Sequence, residues 1–230
     1  MQRMQIDIVS DTVCPWCYIG KRRFDRALAN RPEISTEIEW RAFQLNPDMP
    51  LAGMDRNEYL ISKFGSPEQA SEIYQRVTEA GEAEGINFAF DRMVRTPNTV
   101  ASHRLIRWSA THGRQNELVS ALFVAYFENA VDIGDINVLA EIAEEAQLSK
   151  PEAITFLAGD DQKDEILAEC QAASQMGVQG VPCFIFDKKY AVSGAHEPAV
   201  FERAFDLSLQ GEKSAEDVSP GASAGDQPSD

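Results

Sequence analysis

Two cysteines with two residues between them, Cys14-Pro15-Trp16-Cys17, stand directly after a short segment rich in Ile and Val, residues 5 to 10. Alternation in that segment predicts a strand, and the cysteines open the helix that follows, through about Asn30. Pro15 suits the first helical turn, where its missing N–H leaves no intrahelical bond unmade. After Arg31-Pro32 the stretch Ser35 to Phe43 alternates again through Ile38, Trp40 and Ala42. A second strand there completes a βαβ unit with Cys14 at its strand-to-helix turn, the place where a parallel sheet presents its chemistry.

From about Asp55 to Gly177 the signals are helical almost throughout. Ser66-Pro67-Glu68-Gln69 reads as a capping box, and Gly113 and Gly177 stand where helices end. Leu118, Leu122, Ala125 and Tyr126, then Leu139, Ile142, Ala143 and Ala146, recur at three- and four-residue spacing. Four to six helices are expected in this insert. Strands return at Cys183 to Phe186 and Tyr190 to Val192, joined by a hairpin turn at Asp187-Lys188-Lys189, before a last helix from about Pro198 to Leu209. The expected division is residues 1–50 with 178–210 as one domain, 51–177 as a helical insertion, and 211–230 as a disordered acidic tail. Val218 is the tail's one large apolar residue, too little apolar surface to order it.

The formal charge of −16 excludes a general attraction to nucleic acid or anionic lipid, which requires clustered Lys and Arg. No apolar run approaches the roughly 20 residues that cross a bilayer. Met1-Gln2-Arg3-Met4 runs into the first strand without the apolar stretch of a signal peptide, so a cytoplasmic protein is expected. Four cysteines, Cys14, Cys17, Cys170 and Cys183, are too few for a disulfide scaffold in 230 residues. His103, His112 and His196 lie far from the CxxC in sequence and no second CxxC accompanies it, so no metal site is expected.

What remains for the pair is redox chemistry. Disulfide exchange needs a thiolate to attack, a second thiol to resolve the mixed disulfide, and a geometry that lets the two bond each other. Cys14, at the helix start, lies where free backbone N–H groups and the helix dipole stabilise an anion. It is the expected nucleophile, and Cys17, one turn inside and more buried, the expected resolving thiol. Gly180-Val181-Pro182 precedes a later strand. A cis bond before Pro182 places the Val181 backbone beside the sulfurs, ready to take an extended substrate by strand-like hydrogen bonds.

Five separated segments carry a family resemblance: Ser10-Asp11 with Cys14-Pro15-Trp16-Cys17-Tyr18-Ile19-Gly20-Lys21; Phe43-Gln44-Leu45-Asn46-Pro47; Asn98-Thr99 through His103-Arg104-Leu105-Ile106; Gly177-Val178 with Gly180-Val181-Pro182; and Ser193-Gly194-Ala195. Over residues 5 to 207 the chain resembles the DsbA-like thioredoxin-fold oxidoreductases of the FrnE subfamily. The resemblance implies an α/β thioredoxin fold with a large all-helical insertion between an N-terminal βαβ unit and a C-terminal ββα unit. It also implies a cis Pro182 and dithiol–disulfide exchange by Cys14 and Cys17. DsbA itself carries His between its cysteines where this chain has Trp16. Without that ionisable spacer a reductase or isomerase is expected rather than a strong oxidant.

Pro15, Trp16, Val181, Pro182 and Asp11 are the candidates for shaping the site. Asp11 can relay a proton, although a short Asp before a helix reads first as a cap or turn residue. Lys21 reads as a solvent-exposed lysine of little electrostatic effect. Cys170 and Cys183 read as core thiols, and His103 and His112 as packing or surface residues. Substrates are expected to be protein or small-molecule thiols and disulfides, with no bound cofactor beyond glutathione as a possible co-substrate, and with the protein a monomer or homodimer. Related kappa-class transferases and hydroxychromene-carboxylate isomerases use glutathione with Ser where Cys14 stands, which leaves a glutathione-dependent transferase or isomerase as the alternative. A third reading, a non-enzymatic holdase, would survive loss of both cysteines.

Overall fold

The computed structural model describes residues 3–216. Strand β1 (Met4–Ser10) leads through a turn into helix α1 (Pro15–Ala29), and β2 (Thr36–Ala42) returns parallel to β1 with Met4 opposite Thr36 and Ser10 opposite Ala42. A short strand β3 (Met54–Asp55) and helices α2 (Arg56–Phe64) and α3 (Pro67–Glu82) follow. Next come β4 (Arg95–Thr96), α4 (Val100–Ala110) and α5 (Gln115–Phe123), which runs into a π-helical turn at Val124–Glu128. Then α6 (Ile136–Glu145), α7 (Lys150–Ala158) and α8 (Lys163–Gln175) precede the closing β5 (Cys183–Phe186), β6 (Tyr190–Ser193) and α9 (Pro198–Glu216).

The main sheet has the order β2-β1-β5-β6, with β1 central, parallel to β2 and antiparallel to β5. The alternating expectation for β1 and β2 and the hairpin at 187–189 match these strands. The insert holds more helices than the four to six expected: α2 to α8 make seven among the described residues. Short turns separate α2 from α3, with Gly65 at φ 85° and Ser66 capping α3 as the capping box predicts, and α7 from α8, with Gln162 at φ 62°. The two-residue pair β3–β4, Met54 opposite Thr96, has no sequence period to reveal it. Helix α9 runs seven residues beyond Leu209, so residues 211–216 are helical where the tail was expected. The rest of that tail, 217–230, lies outside the described residues.

Helix α1 is buried on two sides. Toward the sheet and α9, Phe24 stacks on Phe184 at 5.1 Å between centroids and meets Phe201 and Phe205 edge-on. Toward the insert, Tyr18 stacks on Phe123 at 5.2 Å and on Phe127 at 6.1 Å. One continuous apolar core therefore joins the sheet to the helices, with α1 at its centre. The edge of β2 is covered by a side chain: Gln115 Oε1 accepts from Trp40 N–H at 2.8 Å, and its Nε2 donates to Trp40 O at 3.2 Å. Truncating Phe24 to Ala removes a fully buried ring from the sheet side of α1 and is expected to destabilise the fold by about 3–5 kcal/mol, read from the midpoint of denaturant unfolding.

Candidate active site

The turn between β1 and α1 is built by backbone bonds: Cys14 N–H donates to Asp11 O at 3.0 Å, and Cys17 N–H to Cys14 O at 3.0 Å. Cys14 is the N-cap residue of α1 and no side chain caps the helix there. The first-turn N–H groups and the positive helix end thus face the sulfur region rather than a hydroxyl or carboxylate. Cys14 is 3% exposed and Cys17 1%, while Trp16 between them is 38% exposed. Pro15 is half-buried at the first helical position.

The Val181–Pro182 peptide bond is cis. Cys14 Sγ donates to Val181 O at 3.5 Å, so the loop before β5 lies against the attacking end of α1. The Val181 N–H has no hydrogen-bond partner among the described residues. This close approach depends on Gly20: a Cβ there would lie 2.8 Å from Pro182 Cγ and 3.5 Å from Ala195. Gly194 N–H donates to Pro182 O at 2.8 Å, and Arg23 of α1 donates to Ala195 O at 2.7 Å, which holds the 193–196 segment beside the same loop.

The Cys17 thiol is pushed well above the ordinary cysteine range, first by burial and then by its hydrogen bond to Cys14 and the charge there; Ser10 and the Asp11 main chain act in the opposite sense. Cys17 therefore holds its proton.

Asp11 does not cap α1. Its Oδ2 accepts from Leu45 N–H at 2.8 Å, and its Oδ1 lies 3.4 Å from His103 Nε2 without a hydrogen bond. His103 Nε2–H donates instead to Phe43 O at 3.0 Å. The side chain of Asp11 is drawn across to the 43–46 segment because that segment, leaving β2 parallel to β1, presents unpaired backbone groups beside it. His103 joins this buried group from α4, a neighbour that spacing alone cannot reveal 92 residues away; the Asn98–His103 segment carries it only as part of the resemblance. His112 instead bonds Thr111 and Trp108 O at the end of α4, and His196 Nε2 lies 2.9 Å from Ser193 O.

Lys21 is not solvent-exposed as its sequence position suggests. It is 4% exposed and its Nζ pairs with Asp25 one turn on at 2.6 Å. Cys170 is half-buried and its thiol is pushed up to about 12 by burial, with Asp11 and Glu169 adding to the effect; burial raises Cys183 as well. Among the described residues no group of three or more His, Cys, Asp or Glu is placed to hold a metal ion.

Residues 5–206 match the DSBA-like thioredoxin domain. The chain belongs to the DSBA-like thioredoxin domain family. The crystal structure of a probable DsbA oxidoreductase from Streptomyces coelicolor is 33% identical, with a TM-score of 0.82 over 90% of this chain and 91% of that one. YwbO of Bacillus subtilis (strain 168), an uncharacterized protein, is 26% identical over 204 residues, 87% of this chain and 95% of its own length. The fold is also that of the cytosolic disulfide reductase DsbM from Pseudomonas aeruginosa, solved with GSH, at 14% identity and a TM-score of 0.61 over 90% and 99% of the two chains. Membership makes the chain, in general terms, a thiol–disulfide oxidoreductase, and the family resemblance seen in its five motifs holds over nearly the whole chain.

Raised thiol and phenol values set an alkaline limit on stability. Cys17, Tyr18 and Cys170 all titrate higher in the fold than in the unfolded chain, Tyr18 and Cys170 at about 12. The unfolded state therefore releases these protons first, and the stability they contribute, complete below about pH 9, is lost as pH rises toward 12. Unfolding by denaturant from pH 7 to 11 is expected to show this fall, with a shallower slope for Cys170→Ala.

Proposed function

We propose that this protein is a reductase or isomerase of disulfides in protein or small-thiol substrates, acting through Cys14 and Cys17. The observation that carries the reading is the division of labour within the pair. Cys14 sits at an uncapped helix start against the Val181 carbonyl, and Cys17 lies one turn deeper with a thiol that resists ionisation.

In the reductive direction the Cys14 thiolate attacks one sulfur of a substrate disulfide, forming a mixed disulfide and releasing one substrate thiol. The Cys17 thiol then loses its proton and attacks the Cys14 sulfur, which releases the second thiol and leaves Cys14 and Cys17 joined. Two electrons and two protons have passed to the substrate, and an external thiol returns the pair to the dithiol. The free Val181 N–H and its neighbouring carbonyl suit an extended substrate backbone, the mode of an added strand. Trp16, the exposed member of the motif, offers an apolar face to that substrate. Pro15 starts the helix, and Pro182 holds the facing loop in place.

Asp11, fixed by Leu45 on one oxygen and without a bond on the other, is proposed as a proton acceptor or relay for the exchange. Glutathione is proposed as a resetting thiol, a role supported by the fold shared with DsbM solved with GSH. The cytoplasm is the proposed compartment. In support, DsbM is named as cytosolic, and no described helix is long and apolar enough to cross a membrane.

Dithiothreitol-driven reduction of insulin tests the reading. Wild type is expected to accelerate it, and Cys14→Ser and Cys17→Ser each to abolish the acceleration. The two variants part company in a trapping experiment: Cys17→Ser accumulates a mixed disulfide with substrate and Cys14→Ser does not. Trapping by Cys14→Ser instead would reverse the roles. Inactivity of the wild type would pass the case to a glutathione-dependent transferase or isomerase.

A further inference from the structure

Arg23 of α1 engages a different partner with each of its three guanidinium nitrogens. Its Nε donates to Glu84 Oε1 at 2.8 Å, its Nη1 donates to Ala195 O at 2.7 Å, and its Nη2 lies 2.8 Å from Glu197 Oε1. Glu84 belongs to the turn that follows α3, in the helical insert, and its side chain is 4% exposed. The second Glu84 oxygen lies 2.8 Å from Arg26 Nη1, about one turn further along α1. A carboxylate taken out of water needs such pairing, and the pairing in turn fixes the plane of the Arg23 guanidinium.

From that fixed plane the fork holds the segment behind the cis-proline. Ala195 follows Gly194, whose N–H donates to Pro182 O at 2.8 Å. Pro182 and Ala195 both rest on Gly20 of α1, where a Cβ would meet them at 2.8 and 3.5 Å. A series of contacts thus runs from Glu84 through Arg23, Ala195, Gly194 and Pro182 to the Val181 carbonyl, 3.5 Å from Cys14 Sγ. The pair with Glu197 adds little to this hold, since Glu197 is 63% exposed and screened by water. The bond to the Ala195 carbonyl joins the helix that carries Cys17 to the loop that faces Cys14. A lysine here would keep the charge but cannot reproduce the three-way fork.

We infer that Arg23 is a positioning residue for peptide substrates. Anchored on Glu84 of the insert and holding Ala195 O, it keeps the Val181 edge where an extended substrate backbone can pair with it beside Cys14. The inference deepens the thiol-exchange reading above and rests on it. Strand-like pairing uses substrate amide groups, so a disulfide that has none does not depend on this edge.

Two disulfides separate positioning from general weakening: the disulfide-linked dimer of a blocked, uncharged pentapeptide with a central cysteine, and 2-hydroxyethyl disulfide, which has no amide groups. Each oxidises the reduced enzyme to the Cys14–Cys17 disulfide and yields two thiols. Arg23→Lys is expected to slow the peptide reaction about tenfold and the hydroxyethyl reaction less than about twofold. Amide exchange gives a readout independent of activity. The Gly194 N–H, bonded to Pro182 O, is expected to exchange about tenfold faster in Arg23→Lys while the amides of β1 keep their wild-type rates. Equal slowing of both disulfides, a greater effect on the small one, slowing of neither, or an unchanged Gly194 rate would overturn the inference. If Arg23→Lys does not fold, Glu84→Gln, which leaves the fork in place and weakens its anchor, is put through the same two measurements, and each outcome counts in the same sense. Oxidation of the wild type by neither disulfide would sink the thiol-exchange reading, and the Gly194 rate would still decide whether Arg23 holds the loop.

Discussion

Contact between α1 and the loop at Pro182 is the constraint on which the rest of the site depends. Gly20 has no side chain, so the helix can lie close enough for Pro182 to rest on it and for the Val181 carbonyl to reach Cys14. Any Cβ at that position would have to displace the proline ring, and with it the carbonyl beside the sulfur. The same helix is fixed on both flanks by aromatic stacking, Phe24 toward the sheet and Tyr18 toward the insert. A helix held this firmly keeps its first turn, and so the cysteine at its start, in register with the loop that faces it.

Beneath that contact lies a small polar group that no single element could assemble. The turn after β1 supplies Asp11, the segment after β2 supplies Phe43 O and Leu45 N–H, and α4 supplies His103. Satisfying most of its bonds inside the core makes this group a structural tie among three elements, with one Asp11 oxygen left without a hydrogen bond.

Across the site, the insert contributes a different electrostatic character from the sheet. Arg104 and Arg56 are alike in burial, but Arg104 closes the negative end of α7 through backbone carbonyls, and Arg56 begins α2 with bonds to the hydroxyls of Thr96 and Tyr74.

Much of this architecture was legible in the chain itself. Period-two alternation marked β1 and β2, and the Asp187-Lys188-Lys189 turn between two apolar runs marked β5 and β6, because each depends only on neighbouring residues. The CxxC at a strand-to-helix turn identified the chemistry for the same reason: thiol spacing and helix start are local properties. The capping box at Ser66 marked the start of α3 because a cap is local, whereas the break between α7 and α8 carries no such signal at Gln162. Asp11's crossing to Leu45, the burial of Lys21, the arrival of His103 and the burial of Arg56 were decided by tertiary structure alone. Each depends on which distant groups share a low-dielectric interior, and a sequence records the order of those groups but not their distances.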